Sequence, residues 1–231
     1  MPNLKVMKAA AECHRQMQPQ AEQLYHQYRD QVPRLIRQLG GPTQAEHDQA
    51  FELLSQIGEM VVSELLDALA DPTLDDIAAD EVVSLLGVTG DERAREPLWE
   101  FFQAHQDDLE RASAAALSLG TLGDDRVLPF LRQTLDADDE ELVSNAVAAM
   151  ITVGTMEDIP RLREIHRKHL TNWEIRFGIA SVILTIVGET DQRTFNRTLD
   201  DIKANFADRR LWDDIWATLE REFGSKDITW H

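Results

Sequence analysis

The chain has 231 residues, long enough to bury a sizeable core, and only 6% are aromatic. With 42 acidic against 23 basic residues its formal charge is −19, which disfavours nucleic acid and anionic membranes as partners. One cysteine, Cys13, excludes an intrachain disulfide and fits a reducing compartment. No stretch approaches the length of a signal peptide's apolar core or a membrane span, so the chain is expected to be soluble and cytoplasmic.

In chain order, residues 3–41 read as N-terminal cap helices. "NLKVMKAAAECHRQM" is amphipathic through Leu4, Met7, Ala11, His14 and Met17, and a second stripe runs from Leu24 to Leu39. Pro33 should break that second helix or open a new one, whose unit would then be a degenerate repeat. Gly40, Gly41 and Pro42 make a joint.

Residues 42–206 read as five repeated units. A glycine closes the first helix of each, at Gly58, Gly90, Gly123, Gly154 and Gly188, with intervals of 32, 33, 31 and 34 residues. Such a glycine is expected in the left-handed conformation that ends a helix. An acid follows at Glu59, Asp91, Asp124 and Glu189, and proline falls early in the second helix at Pro97, Pro129 and Pro160. First helices are small and apolar, as at Ala112, Ala115, Ala116, Leu119 and Leu122. The acidic stretches 71–76, 105–110 and 136–141 fall between units, where they can cap the next helix or face water. Residues 208–223 form a closing helix with Trp212, Trp216 and Phe223, and 224–231 are a tail.

No helix pair of this kind buries its stripe alone, so the pairs must stack. The expected fold is all-α: one domain over 1–231, a right-handed α-solenoid of about five HEAT-like helix pairs with helical caps at both ends. The stretches "LGTLGDDRVLPFL" and "LGVTGDERAREPL" resemble the HEAT-like repeats of the phycobilin lyase type. The resemblance is clear over about 78–166 and weaker over 45–72 and 173–206. It implies that second helices line an inner wall used to grip partners, and that some relatives act in phycobilin attachment or removal.

Catalytic signatures are missing: there is no G-x-S-x-G, Walker sequence, dinucleotide fingerprint or HExxH. No catalytic residue, metal ligand or cofactor is assigned. His166 and His169, at i and i+3, are read as surface histidines; as a metal pair they would sit among opposing cations. The local anomaly is a basic island in an acidic chain: Arg161, Arg163, His166, Arg167 and Lys168, extended by Arg132 and Arg197 with Trp99 as an aromatic contact. These are the expected partner-binding residues unless neighbouring acids such as Asp158 and Glu164 neutralise them.

The expected function is a non-catalytic protein-binding adaptor, scaffold or chaperone whose partner is another protein, with a hetero-oligomer as one form of assembly. Nucleic acid and membrane insertion are excluded. An alternative implied by the resemblance is a phycobilin lyase-like subunit, with propionates on the basic island. A third is an iron–sulfur or metal-delivery accessory using Cys13.

Overall fold

A computed structural model describes residues 19–41 and 43–188, together with Arg210, Asp213, Asp214 and Ala217. The chain packs as two compact units, residues 2–125 and 126–231. The described residues are helical, with no strand among them.

In residues 2–125 the elements are α1 (19–28), α2 (Val32–Gln38), α3 (Gln44–Ile57), α4 (Val62–Leu69), α5 (Asp76–Thr89), α6 (Arg95–Ala104) and α7 (Leu109–Thr121). The first helices stack α3 on α5 on α7, and the second helices α2 and α4 stack alongside. Each second helix also packs on the first helix that follows it: α2 on α3, α4 on α5, α6 on α7. Residues 126–231 repeat the scheme with α8 (Leu128–Thr134), α9 (Glu140–Val153), α10 (Ile159–Lys168) and α11 (Trp173–Gly188). There α9 stacks on α11, α8 packs on α9 and α10 packs on α11. The repeat of helix pairs is therefore present in both units.

Local chemistry sets every boundary. The first helices open on a side-chain cap: Thr43 accepts from Glu46 N, Asp75 from Ile77 N and Ala78 N, and Asp108 from Arg111 N. In the second unit Asp139 accepts from Glu141 N and Leu142 N, and the Asn172 side chain from Ile175 N. Three of these five caps come from the acidic stretches between units, so those acids hold otherwise unpaired helix N–H groups.

Helix α7 ends in a Schellman arrangement. The Asp124 amide donates to Leu119 O at 2.9 Å and the Gly123 amide to Gly120 O at 2.9 Å, around a Gly123 φ of 75°. Gly58 and Gly90 also have positive φ, at 62° and 71°. Gly154 departs from the expected pattern, because its φ is −62° and its ψ 151°. Here the turn is held by a capping box, in which the Thr155 amide donates to Asp158 Oδ2 at 2.8 Å. Glycine at 154 is instead a matter of space: a Cβ would sit 2.5 Å from Met150 O.

A short 3-10 turn leads into each second helix, as in Glu92–Ala94 before α6 and Met156–Asp158 before α10. Proline then occupies the first turn of α8 and α10, where its missing N–H has no intrahelical role. Arg29–Gln31 and Pro33 give α2 the same entry. Helices α1 and α2 thus have the form of a further unit ahead of the first glycine-marked one, in line with the degenerate repeat that Pro33 suggests.

In each unit the core is the apolar stripe of the first helices and the inner faces of the second. Ala112, Ala115, Ala116 and Leu119 of α7 are all 0% exposed. Small residues let first helices approach closely, and a Cβ on Gly178 of α11 would stand 2.7 Å from Val147 Cγ1 of α9.

Candidate functional site

The residues of the basic island are placed by α8, α10 and the turns between them. Proline at the first turn of α10 sets its start, and Leu162 and Ile165 bury its inner face at 0% and 2% exposure. That leaves Arg161, Glu164, Arg167 and Lys168 on or near the surface.

The cations are held by carboxylates across consecutive second helices. Arg132 of α8 donates to Asp158 through Nε at 2.6 Å and Nη2 at 3.3 Å. Asp158 is 4% exposed and also accepts from the Thr155 amide and hydroxyl at 2.8 and 2.9 Å. Burial pushes the Asp158 carboxyl up, but the hydrogen bonds from Arg132 and Thr155 outweigh it and hold the group below its ordinary value. The same contact raises Arg132. Arg161 of α10 pairs back with Asp136 past the end of α8, and with Glu164 one turn along. Lys168 lies 3.9 Å from Asp138 and donates to Ala137 O at 3.5 Å. The surface is a ladder of mixed charge rather than an island of positive potential.

The histidines correct the surface reading. His166 is 0% exposed and His169 6% exposed. His166 Nε2 meets Asp214 Oδ2 at 3.1 Å, whereas His169 Nδ1 meets Glu140 Oε1 at 3.2 Å. They serve different carboxylates and do not converge on one ion; among the described residues no group of three or more His, Cys, Asp or Glu could hold a metal. Being buried, His166 is removed from the set of residues that can touch a partner. Glu140 is held below its ordinary value by hydrogen bonds from Asn172 and His169.

Asp214 was not among the expected residues. It is 9% exposed and accepts from Arg176 Nε at 3.1 Å and from Arg176 Nη2 at 2.8 Å on both oxygens, besides meeting His166. One carboxylate from the expected closing helix thus clasps α10 and α11. The signal was an acid in the apolar stripe of "LWDDIWATL", and its reader was an arginine 38 residues away.

Trp99 lies in the other compact unit, on α6, where it stacks on Phe102 with ring centroids 5.3 Å apart. Phe102 is core at 3% exposure and Trp99 is half-buried. Arg163 is half-buried on α10 and Arg167 is exposed. Arg197 and Cys13 lie outside the described residues.

Residues 112–137, from α7 through α8, match the family model described as PBS lyase HEAT-like repeat. No curated protein matches the chain. Among the described residues no helix is long and apolar enough to cross a membrane.

Proposed function

Starting from a chain with HEAT-like repeats of the PBS-lyase type, we propose that it is a non-catalytic adaptor, scaffold or chaperone that holds another protein on its second helices. The observation that carries this reading is the fixed, solvent-facing charge on α8 and α10. Arg132, Arg161 and Lys168 keep 42%, 43% and 48% side-chain exposure while each is paired. A guanidinium has several N–H donors, so one already held by a carboxylate can donate to a second acceptor. Its rotamer is restricted before a partner arrives, which lowers the entropic cost of association. A protein surface offering carboxylates and carbonyls fits such a ladder. A reducing, cytoplasmic setting is in keeping with the single cysteine, and the complex is a hetero-oligomer.

The test is cross-linking from position 167 to identify the partner, followed by Arg161→Glu with Arg167→Glu. Retention of the captured protein should fall about tenfold or more with helicity unchanged. Capture of no specific protein, together with turnover of a small molecule by the purified chain, sinks the reading.

A second reading rests on the match over 112–137. A bilin-handling subunit would set tetrapyrrole propionates against Arg132 or Arg161. Mixing the chain with a bilin, alone and with a companion subunit, should then shift the visible absorbance. An unchanged spectrum in both mixtures dismisses it.

A further inference from the structure

Residues 2–125 contain a groove of about 500 Å³ between α2, α4 and the start of α5. Its floor is aliphatic: Ile36 is 3% exposed and Ala78 0%, and Pro33, Ala68 and Leu74 complete it. Its rim carries four carboxylates, Glu64, Asp67, Asp71 and Asp75, against one guanidinium, Arg37.

The chemistry of the rim selects among occupants. The helix end that reaches the groove, at α5, could in principle attract an anion. Asp75 already occupies its donors, accepting from Ile77 N at 3.0 Å and Ala78 N at 3.5 Å. Asp71 accepts from the Thr73 amide at 2.9 Å and its hydroxyl at 2.8 Å, and these bonds hold its carboxyl below the ordinary value, so it stays ionised. Glu64 accepts from the Tyr25 hydroxyl at 2.7 Å. Arg37 is the single cation on a rim of four acids, so the summed potential is negative. An anionic ligand is repelled, and an uncharged one leaves the rim uncompensated.

From this complementarity we infer that the groove docks a basic amphipathic segment of a partner protein, an aliphatic side chain seated on Pro33, Ala68 and Leu74 and lysines or arginines on the carboxylates. This is helix-in-groove recognition with charge setting the choice of partner. The site lies in residues 2–125 and does not depend on the ladder of α8 and α10, so either can fail alone.

The experiment measures anisotropy of a labelled Leu–Lys peptide, with leucines at the helical spacing i, i+3, i+4, i+7, against the full chain, with its Leu–Glu counterpart as comparison. The Leu–Lys peptide should bind with affinity that falls as salt rises, and the Leu–Glu peptide should not bind. Asp67→Lys should weaken binding about tenfold, while Arg37→Glu, which removes the opposing cation, should tighten it by about threefold. Tightening cannot be produced by misfolding. Asp107→Lys with Glu110→Lys, exposed positions away from the groove, should leave affinity near wild type. Absence of binding, equal loss in that distant pair, no gain from Arg37→Glu, or binding of the Leu–Glu peptide each overturns the inference. Self-association of the chain that Asp67→Lys abolishes also overturns it, by assigning the groove to a second copy.

Discussion

In residues 2–125 charged contacts tie successive first helices: Arg111 of α7 holds Asp80 of α5 at 2.7 Å, and His47 of α3 meets Glu81 of α5 at 3.1 Å; Arg93 before α6 also donates to Ser63 of α4 at 3.2 Å. In residues 126–231 Arg132 to Asp158 and Arg161 to Asp136 tie successive second helices, and Glu140 of α9 also accepts from Asn172 at the start of α11 at 2.8 Å. The α4 sequence VSELLDAL carries acids and no base, whereas IPRLREIHRK of α10 carries four Lys or Arg. One scaffold thus carries an acidic second helix in α4 and a basic one in α10 whose cations Arg161 and Lys168 are neutralised in place. What differs is where the counter-charge was spent, and the apolar repeat is indifferent to that choice.

The contrast can be broken most severely at Asp214. Asp214→Ala leaves Arg176 and the buried His166 without their shared carboxylate, and urea unfolding should show a loss of about 3 kcal/mol. Hydrogen exchange should rise first in α10 and α11, with α3 and α5 protected as before. Next comes Asp158→Ala, which strips the capping box and Arg132 together, at about 2 kcal/mol. The Asp158 carboxyl titrates below its ordinary 3.8, so its stabilisation is complete above that pH and is lost as pH falls through the lower folded value. The variant's acid-unfolding limb should therefore be flatter than that of the wild type.

Smaller effects sharpen the other side of the comparison. Arg111→Met removes the Asp80 contact and the guanidinium 5.1 Å from the Phe101 ring centroid, and should cost about 1 kcal/mol, relieved by high salt. His47→Gln should cost on the order of 0.3 kcal/mol. The Asp48 contact raises His47 above its ordinary 6.5, burial opposes that, and Glu81 adds to it. Its contribution is full below 6.5 and lost as pH rises through the raised value, so an NMR titration should place the midpoint above 6.5.

The architecture was legible because its signals are local. Gly90 and Gly123, the early prolines and the small-residue stripe of α7 each act within a few residues of themselves. Gly154 misled because a capping box can make the same corner with ordinary backbone, and Thr155 with Asp158 does so. The site was legible only as a list of charges. Glu164 answers Arg161 at i+3 as its spacing suggests, but that Asp136 answers it too, or that His166 turns inward toward Asp214, depends on helix rotation and on residues tens of positions away. Sequence periodicity carries the apolar face and an i, i+3 neighbour such as Glu164, but not the partner an exposed cation finds on another helix.

Thr43, Asp75, Asp108, Asp139 and Asn172 each start a first helix with their own side chains. Start signals that travel with the segment they serve make length an adjustable property of this protein. A duplication or excision cut from one such residue to the one before the next, for instance 75–107, inserts or removes a whole module with its boundaries intact. A cut half a module out of phase would strand one apolar stripe in water.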